Sequence, residues 1–438
     1  MPDPAGAAGE STIDNAEGRS LHFRPMSTRF FTYAALAGIL ALAGCDTFSV
    51  KPISLWTDRA EVLVYAELFN SRQDSYRVEI GFQENPSQAL DKNPAGADIV
   101  IGPHLASPYS IHRFRSLESV FDPKAVQKTD FYPGLLALGR RENQQLLFPV
   151  SFNLPIIVFD ARYTGDFATS FSLDLEDLRR YSVQFNRERN KSWVNVGFSP
   201  LWDPGFILHI CAAFNADFGE DVKRNLDWNE RNLSEALSFL RSWMETGNGG
   251  YERDSAFAEK YVYDPPYKLL TAGRIRFGYA GSSDFMLLPE GWRSALDYRW
   301  LSHQGRITAV DNIIYAGVPL NARNAAGAES FLRWLFNPQT QKELLESTKA
   351  KIPYSFGLVS GFSSLPIVNE KDLPVLYPAL MAHVPPRDLL AFPPPTPSRW
   401  RRLATDVLKP YLIRRLTDKT EQDSLKARYS AWSQNQIE

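Results

Sequence analysis

From residue 53 onward the apolar positions switch between two periods. Ile53-Ser54-Leu55-Trp56 reads as a strand, and Thr57-Asp58-Arg59 as a turn with capping residues. Residues 60–70 place Val62, Leu63, Ala66 and Phe69 at helical spacing. Residues 76–82 alternate as a strand does, and residues 97–102 form an apolar strand ending on Gly102. Strand, helix and strand in this order argue for a parallel sheet covered on both faces. Ligands of such sheets sit beyond the carboxyl ends of the strands. Trp56, Asp58 and Arg59 follow the first strand and His104 follows the third, so these four are candidate binding residues.

The pattern continues with strands at 146–150 and 156–159, a helix at 173–181 capped by Ser172, and a strand at 194–198. A loop of turn formers, with Trp202 and Asp203 in it, precedes an apolar helix at 206–214. Residues 233–245 form an amphipathic helix stopped by Gly247-Asn248-Gly249-Gly250. Strands at 275–280 and 313–318 follow, then helices at 325–336 and 339–348 with Pro338 at the start of the second. Pro393-Pro394-Pro395-Thr396-Pro397 is a stiff extended connector. Ser398 caps a helix that opens at Arg399-Trp400, and the chain reads as helical to Tyr429.

The other organising stretch lies near the start. Residues 30–45, FFTYAALAGILALAGC, form an apolar run too short for a permanent membrane span, with Arg29 before it. It fits the apolar part of an export signal. Leu42-Ala43-Gly44-Cys45 resembles a bacterial lipobox, which implies cleavage before Cys45 and attachment of lipid to it. Asp3, Glu10, Asp14 and Glu17 are acidic where an export signal is basic. The expectation is therefore that residues 1–25 are untranslated or disordered, 26–44 are a lipoprotein signal peptide starting at Met26, and 45–52 are a tether.

Composition narrows the class. Apolar residues are 44% and charged residues 22% of 438, as in ordinary globular chains. A net charge of −2 with the cations dispersed argues against a nucleic-acid partner. With Cys45 acylated, Cys211 has no disulfide partner and reads as a buried, inert thiol in its apolar segment. Aromatics reach 13%, ten of them Trp, and several stand beside turn residues, where a ring can stack on a ligand.

The order of elements resembles the extracellular solute-binding proteins of bacterial ABC importers, in the sugar-binding family that includes maltose-binding protein. The pieces that carry the resemblance are Ile53-Ser54-Leu55-Trp56, Ala97-Asp98-Ile99-Val100, Phe148-Pro149-Val150 with Ile156-Ile157-Val158-Phe159-Asp160, Gly273-Arg274-Ile275-Arg276-Phe277-Gly278, and the helix pair at 325–345. It implies an α/β periplasmic-binding-protein-like fold of two lobes, each a mostly parallel sheet flanked by helices, with crossing strands as hinge. The lobes would be 53–155 plus about 312–348, and 156–311 plus about 349–438. It implies ligand contacts from Trp202 and Asp203 in the second lobe, from Asn312 with its neighbour Asp311, and from Trp400 as a stacking platform. Arg399 and Arg401 flank that Trp and could reach a polar or acidic ligand. Asn153 in the crossing region, and Ser282 and Asp284 after Gly281, complete the candidates.

Each candidate also has a purely structural use: Trp56 as core, Asp58 and Ser282 as caps, Trp202 and Trp400 as packing. The sequence carries no HExxH, cysteine cluster, Gly-x-Ser-x-Gly elbow or phosphate-binding loop. No catalytic residue, metal ligand or cofactor is therefore assigned. The expected function is a lipid-anchored monomer outside the cytoplasmic membrane that captures a sugar and delivers it to ABC permease subunits, without being an enzyme. A carbohydrate-acting hydrolase, using two of Asp58, Asp203 and Asp284, and an envelope scaffold are the alternatives.

Overall fold

The computed structural model describes residues 50–418, 420 and 423–435. The apolar run at 30–45 and Cys45 lie outside the described residues. Among the described residues no helix is long and apolar enough to cross a membrane.

The elements that build the sheets and the cleft are, in chain order, β1 (Lys51–Thr57), α1 (Glu61–Arg72), β2 (Tyr76–Phe82), α2 (Pro86–Lys92) and β3 (Ile99–Pro103). Then come β4 (Leu147–Phe152), β5 (Pro155–Asp160), β6 (Ser172–Asp174), α3 (Leu175–Phe185), α4 (Pro204–Ala213) and α5 (Glu230–Ser242). β7 (Gly278–Gly281), β8 (Leu296–Ser302), β9 (Ile307–Thr308), β10 (Ile314–Gly317), α6 (Ala325–Leu335) and α7 (Pro338–Lys351) follow. The last are β11 (Phe362–Ser363), β12 (Leu390–Ala391), α8 (Trp400–Leu403) and α9 (Lys409–Thr417).

Two sheets result. The larger runs β11-β4-β10-β3-β1-β2 and the smaller β7-β5-β8-β6. In the first, β1 is parallel to β2 and β3, and β10 lies antiparallel between β3 and β4. In the second, β5 is antiparallel to β7 and β8, while β8 is parallel to β6. Each sheet is thus mixed: β1, β2 and β3 run together, as do β6, β7 and β8, while β5, β10 and β11 run against their neighbours. β5 and β10 enter their lobes from the crossing region and run away from it, whereas the strands beside them run toward it.

The cores form accordingly. Ile53, Leu55, Ile99 and Ile101 of the first sheet pack with Val62, Phe69, Phe331 and Leu332 of its helices. Ile157, Phe159 and Phe277 pack with Leu178, Phe206, Trp243 and Leu412 in the second lobe. Each such side chain contributes roughly 1.5–3 kcal/mol when removed from water. Cys211 lies in the second core, with burial pushing its thiol up to about 12, the inert state its apolar segment suggests.

The crossing region is tied by backbone and side chain together. β9 and β12 run parallel, pairing Ile307 with Leu390 and Thr308 with Ala391. Between β4 and β5, Asn153 Nδ2 donates to Ser360 O at 2.7 Å, and Ser282 Oγ donates to Asn153 Oδ1 at 2.9 Å. Ser282 Oγ also accepts from Leu154 N at 3.1 Å, and Val310 N donates to Asn153 O at 3.0 Å.

Several local expectations change. α3 begins at Leu175 with Asp174 as its cap, accepting from Glu176 N at 3.1 Å, because Ser172 is taken into β6 beside Trp300. α8 has no side-chain cap: the Ser398 amide donates instead to Glu220 at 2.8 Å. Phe362 and Ser363 pair with β4, so the segment just beyond residue 349 continues with the larger sheet.

Candidate functional site

The carboxyl ends of β1, β2 and β3 open onto a cavity of about 280 Å3. Asp58 enters it from the turn after β1, Glu84 from the loop after β2, and His104 from the residue after β3. The opposite wall is Arg399, Arg401 and Arg402, at and inside the start of α8. The cavity therefore lies between the two lobes, and its size is near the lower end of the roughly 300–1,000 Å3 usual for small-ligand sites.

A second cavity of about 150 Å3 lies beside it, lined by Tyr279, His209, Phe218, Trp400, Asp311 and Thr396 among others. Thr396 Oγ1 and His104 Nδ1 share a hydrogen bond of 2.7 Å, which joins a wall of one cavity to a wall of the other. The first is polar and charged, with no Trp, Tyr or Phe ring on its walls, and the second is aromatic.

The electrostatics follow from burial. Burial, then the Arg401 and Arg59 charges, push His104 down to about 3, so its imidazole is neutral at ordinary pH. Burial raises the Asp58 carboxyl, against the opposing pull of Arg59 and Arg401. Arg59 Nε donates to Asp58 Oδ1 at 3.1 Å and Arg401 reaches Oδ2 at 3.4 Å from the other lobe. A second bridge between lobes joins Asp91 of α2 to Arg224, and Asp91 also receives Arg113. The Arg224 guanidinium lies over the Tyr109 ring at 3.6 Å.

The sequence candidates fall into three groups. Asp58, His104 and Trp400 line the two cavities, and Arg59 stands beside Asp58. Asn153 and Ser282 are buried in the crossing region with their polar atoms bonded there. Arg399, Arg401 and Asp311, flanking or neighbouring the main candidates, also line the cavities, whereas Trp56, Trp202, Asp203, Asp284 and Asn312 line neither. The Trp56 ring packs over Gly81 and Gly96, where a Cβ would come within 2.7 and 2.3 Å of it. Asp203 caps α4 through Gly205 N at 2.7 Å. Trp202 stacks on Phe257 with ring centres 5.6 Å apart. Burial raises Asp284, with Asp203 adding to the effect. Asn312 Oδ1 is buried without a hydrogen-bond partner.

Trp400 is itself only 5% exposed: it belongs to the second core, and its indole N–H donates to Asp311. Glu84, Lys92, His209, Tyr279 and Thr396 are lining residues that the sequence reading did not single out. The rule about strand ends reaches Glu84, which follows β2 just as Asp58 follows β1. Nothing local marks Tyr279 or His209. Among the described residues no group of three or more His, Cys, Asp or Glu is placed to hold a metal ion.

The sequence matches no protein-family model and no curated protein. Solved structures match in fold. The acarbose-binding GacH receptor of Streptomyces glaucescens aligns over 88% of this chain and 98% of its own, at 12% identity and TM-score 0.56. The maltose/maltodextrin-binding domain MalE of Bdellovibrio bacteriovorus, bound to maltotriose, aligns over 88% and 99%, at 13% and 0.54. The cyclic α-maltosyl-1,6-maltose binding protein of Arthrobacter globiformis aligns over 88% and 98%, at 14% and 0.57. The chain has their two-lobed periplasmic-binding-protein-like fold.

Proposed function

We propose that this chain is the lipid-anchored solute-binding component of an ABC importer, which captures a sugar or oligosaccharide between its lobes and delivers it to a membrane permease. The observation that supports this most is the cavity where β1, β2 and β3 end, faced across the cleft by α8. It sits where open α/β sheets take ligands, in a fold shared with oligosaccharide-binding structures. Asp58 and His104 are the hydroxyl-reading groups in this reading, and Trp400 with Tyr279 offers aromatic surface next door.

Binding would be coupled to hinge closure about Asn153 and the β9–β12 pair. Lipid on Cys45 would hold the monomer at the outer face of the cytoplasmic membrane, within reach of permease subunits. Capture needs no chemical step. A glycoside hydrolase needs two carboxyl groups facing the scissile bond, whereas Asp58 is held by Arg59 and Arg401 and Asp203 by a helix amide.

A thermal-shift screen of sugars, polyols, amino acids and peptides tests the reading. A saccharide that raises the melting temperature saturably supports it. A clear hit confined to amino acids or peptides would remove the sugar and leave capture.

A further inference from the structure

The two cavities differ in chemistry in a way that bears on which sugar fits. This step rests on the capture reading above. Apart from Arg402, which has a partner of its own, the cavity between the lobes carries Lys92, Arg399 and Arg401 against Asp58 and Glu84. The Asp58 carboxylate already receives Arg59, a cation from behind the wall, as well as Arg401. Cationic charge on the walls thus exceeds what their own carboxylates balance. Burial and then the Arg224 charge push the Arg399 guanidinium below the usual range, against the opposing pull of Tyr429 and Glu220. An anion beside it would offset the Arg224 charge.

The walls carry groups able to hydrogen-bond hydroxyls but no aromatic face. A neutral ring is held by stacking on aromatic faces and by hydroxyl hydrogen bonds, and no Trp, Tyr or Phe lines this cavity. The aromatic surface is next door, where Trp400 and Tyr279 line the smaller cavity. Guanidinium forks match carboxylate and phosphate geometry and bind both through paired N–H groups. The His104–Thr396 hydrogen bond connects the charged wall to the aromatic one, and Arg399 and Trp400 are neighbours in the chain that line different cavities.

We propose that the cleft selects an anionic sugar, its carboxylate or phosphate held by Arg399 and Arg401 and its uncharged part directed toward the Trp400–Tyr279 cavity.

The test is calorimetric titration of the purified full chain with matched pairs: digalacturonate against galactobiose for a carboxylate, and glucose 6-phosphate against glucose for a phosphate. The expected result is binding of one acidic probe at least tenfold tighter than its neutral partner, weakening as salt rises. Arg399→Gln and Arg401→Gln should each lose most of that preference, and Arg399→Lys, which keeps the charge, should retain part of it. Melting curves of the three variants check that they are folded. Equal or tighter binding of the neutral partner, or an acidic preference unchanged in both Gln variants, would overturn the anion selectivity and leave sugar capture standing. Absence of binding by every sugar, acidic or neutral, would overturn both.

Discussion

The indole of Trp400 serves two environments at once. One side is part of the second core, against Phe218 at 6.4 Å, and the N–H is fixed by Asp311 across the crossing region. Truncation to Ala therefore removes core as well as cavity wall. Trp400→Ala should lower unfolding stability by about 3 kcal/mol or more in denaturant titration. A parent-like midpoint would mean that the ring is not packed as described. Asp254 carries a charge that depends on pH near neutrality. It is buried beside Ser199 and Asn248, and burial raises its carboxyl from 3.8 to about 6. The folded chain then holds this proton more tightly than the unfolded one. Its contribution to stability is full below about pH 4 and declines as pH rises to about 6. Asp254→Asn should flatten the fall in melting temperature over that window, relative to the parent. An unaltered slope would show that Asp254 does not titrate there.

Hinge elements show why some positions are legible in sequence and others not. The period of apolar residues marks β1, α1, β2, β3, β4, β5 and β10 close to their observed ends, because each buries one face or both in a core. β8 was missed although Leu296, Tyr298 and Trp300 alternate with Asp297 and Arg299. The buried Arg299 masks its pattern: its guanidinium donates to Phe167 O at 2.9 Å and to Asp297 at 3.0 Å, so a charged residue sits at a core position. Side-chain roles are harder to read than elements. Asn153 and Ser282 were plausible ligand contacts, yet their partners, Ser360 and each other, are 207 and 129 residues away in the chain. Only the fold brings them together. Asn153→Ala leaves Ser282 and the Ser360 carbonyl without this amide and should cost about 1–3 kcal/mol, with weaker ligand binding if hinge and closure are linked. A variant of unchanged stability would show the Asn153 hydrogen bonds to be dispensable.

At the scale of the whole molecule, Asp58–Arg401, His104–Thr396 and Asp91–Arg224 are among the contacts that join the lobes. Contacts of this kind set how much of the population is closed before ligand arrives, and ligand shifts that population by its differential affinity. The α/β class was legible in the alternation of strand and helix periods, while the two lobes and their crossing strands were legible only through the resemblance, because pattern alone does not fix strand order. The placement of Arg399 and Arg401 opposite the first-lobe strands was legible only in part, since their position across the cleft depends on the route of the proline connector. The most direct measurement is isothermal titration of the purified protein with the saccharide found by screening, followed by mass analysis of that saccharide. Saturable 1:1 binding near micromolar affinity, about −8 kcal/mol, with the saccharide recovered intact, is the predicted result. No saccharide binding at all, or release of new reducing ends, would contradict it.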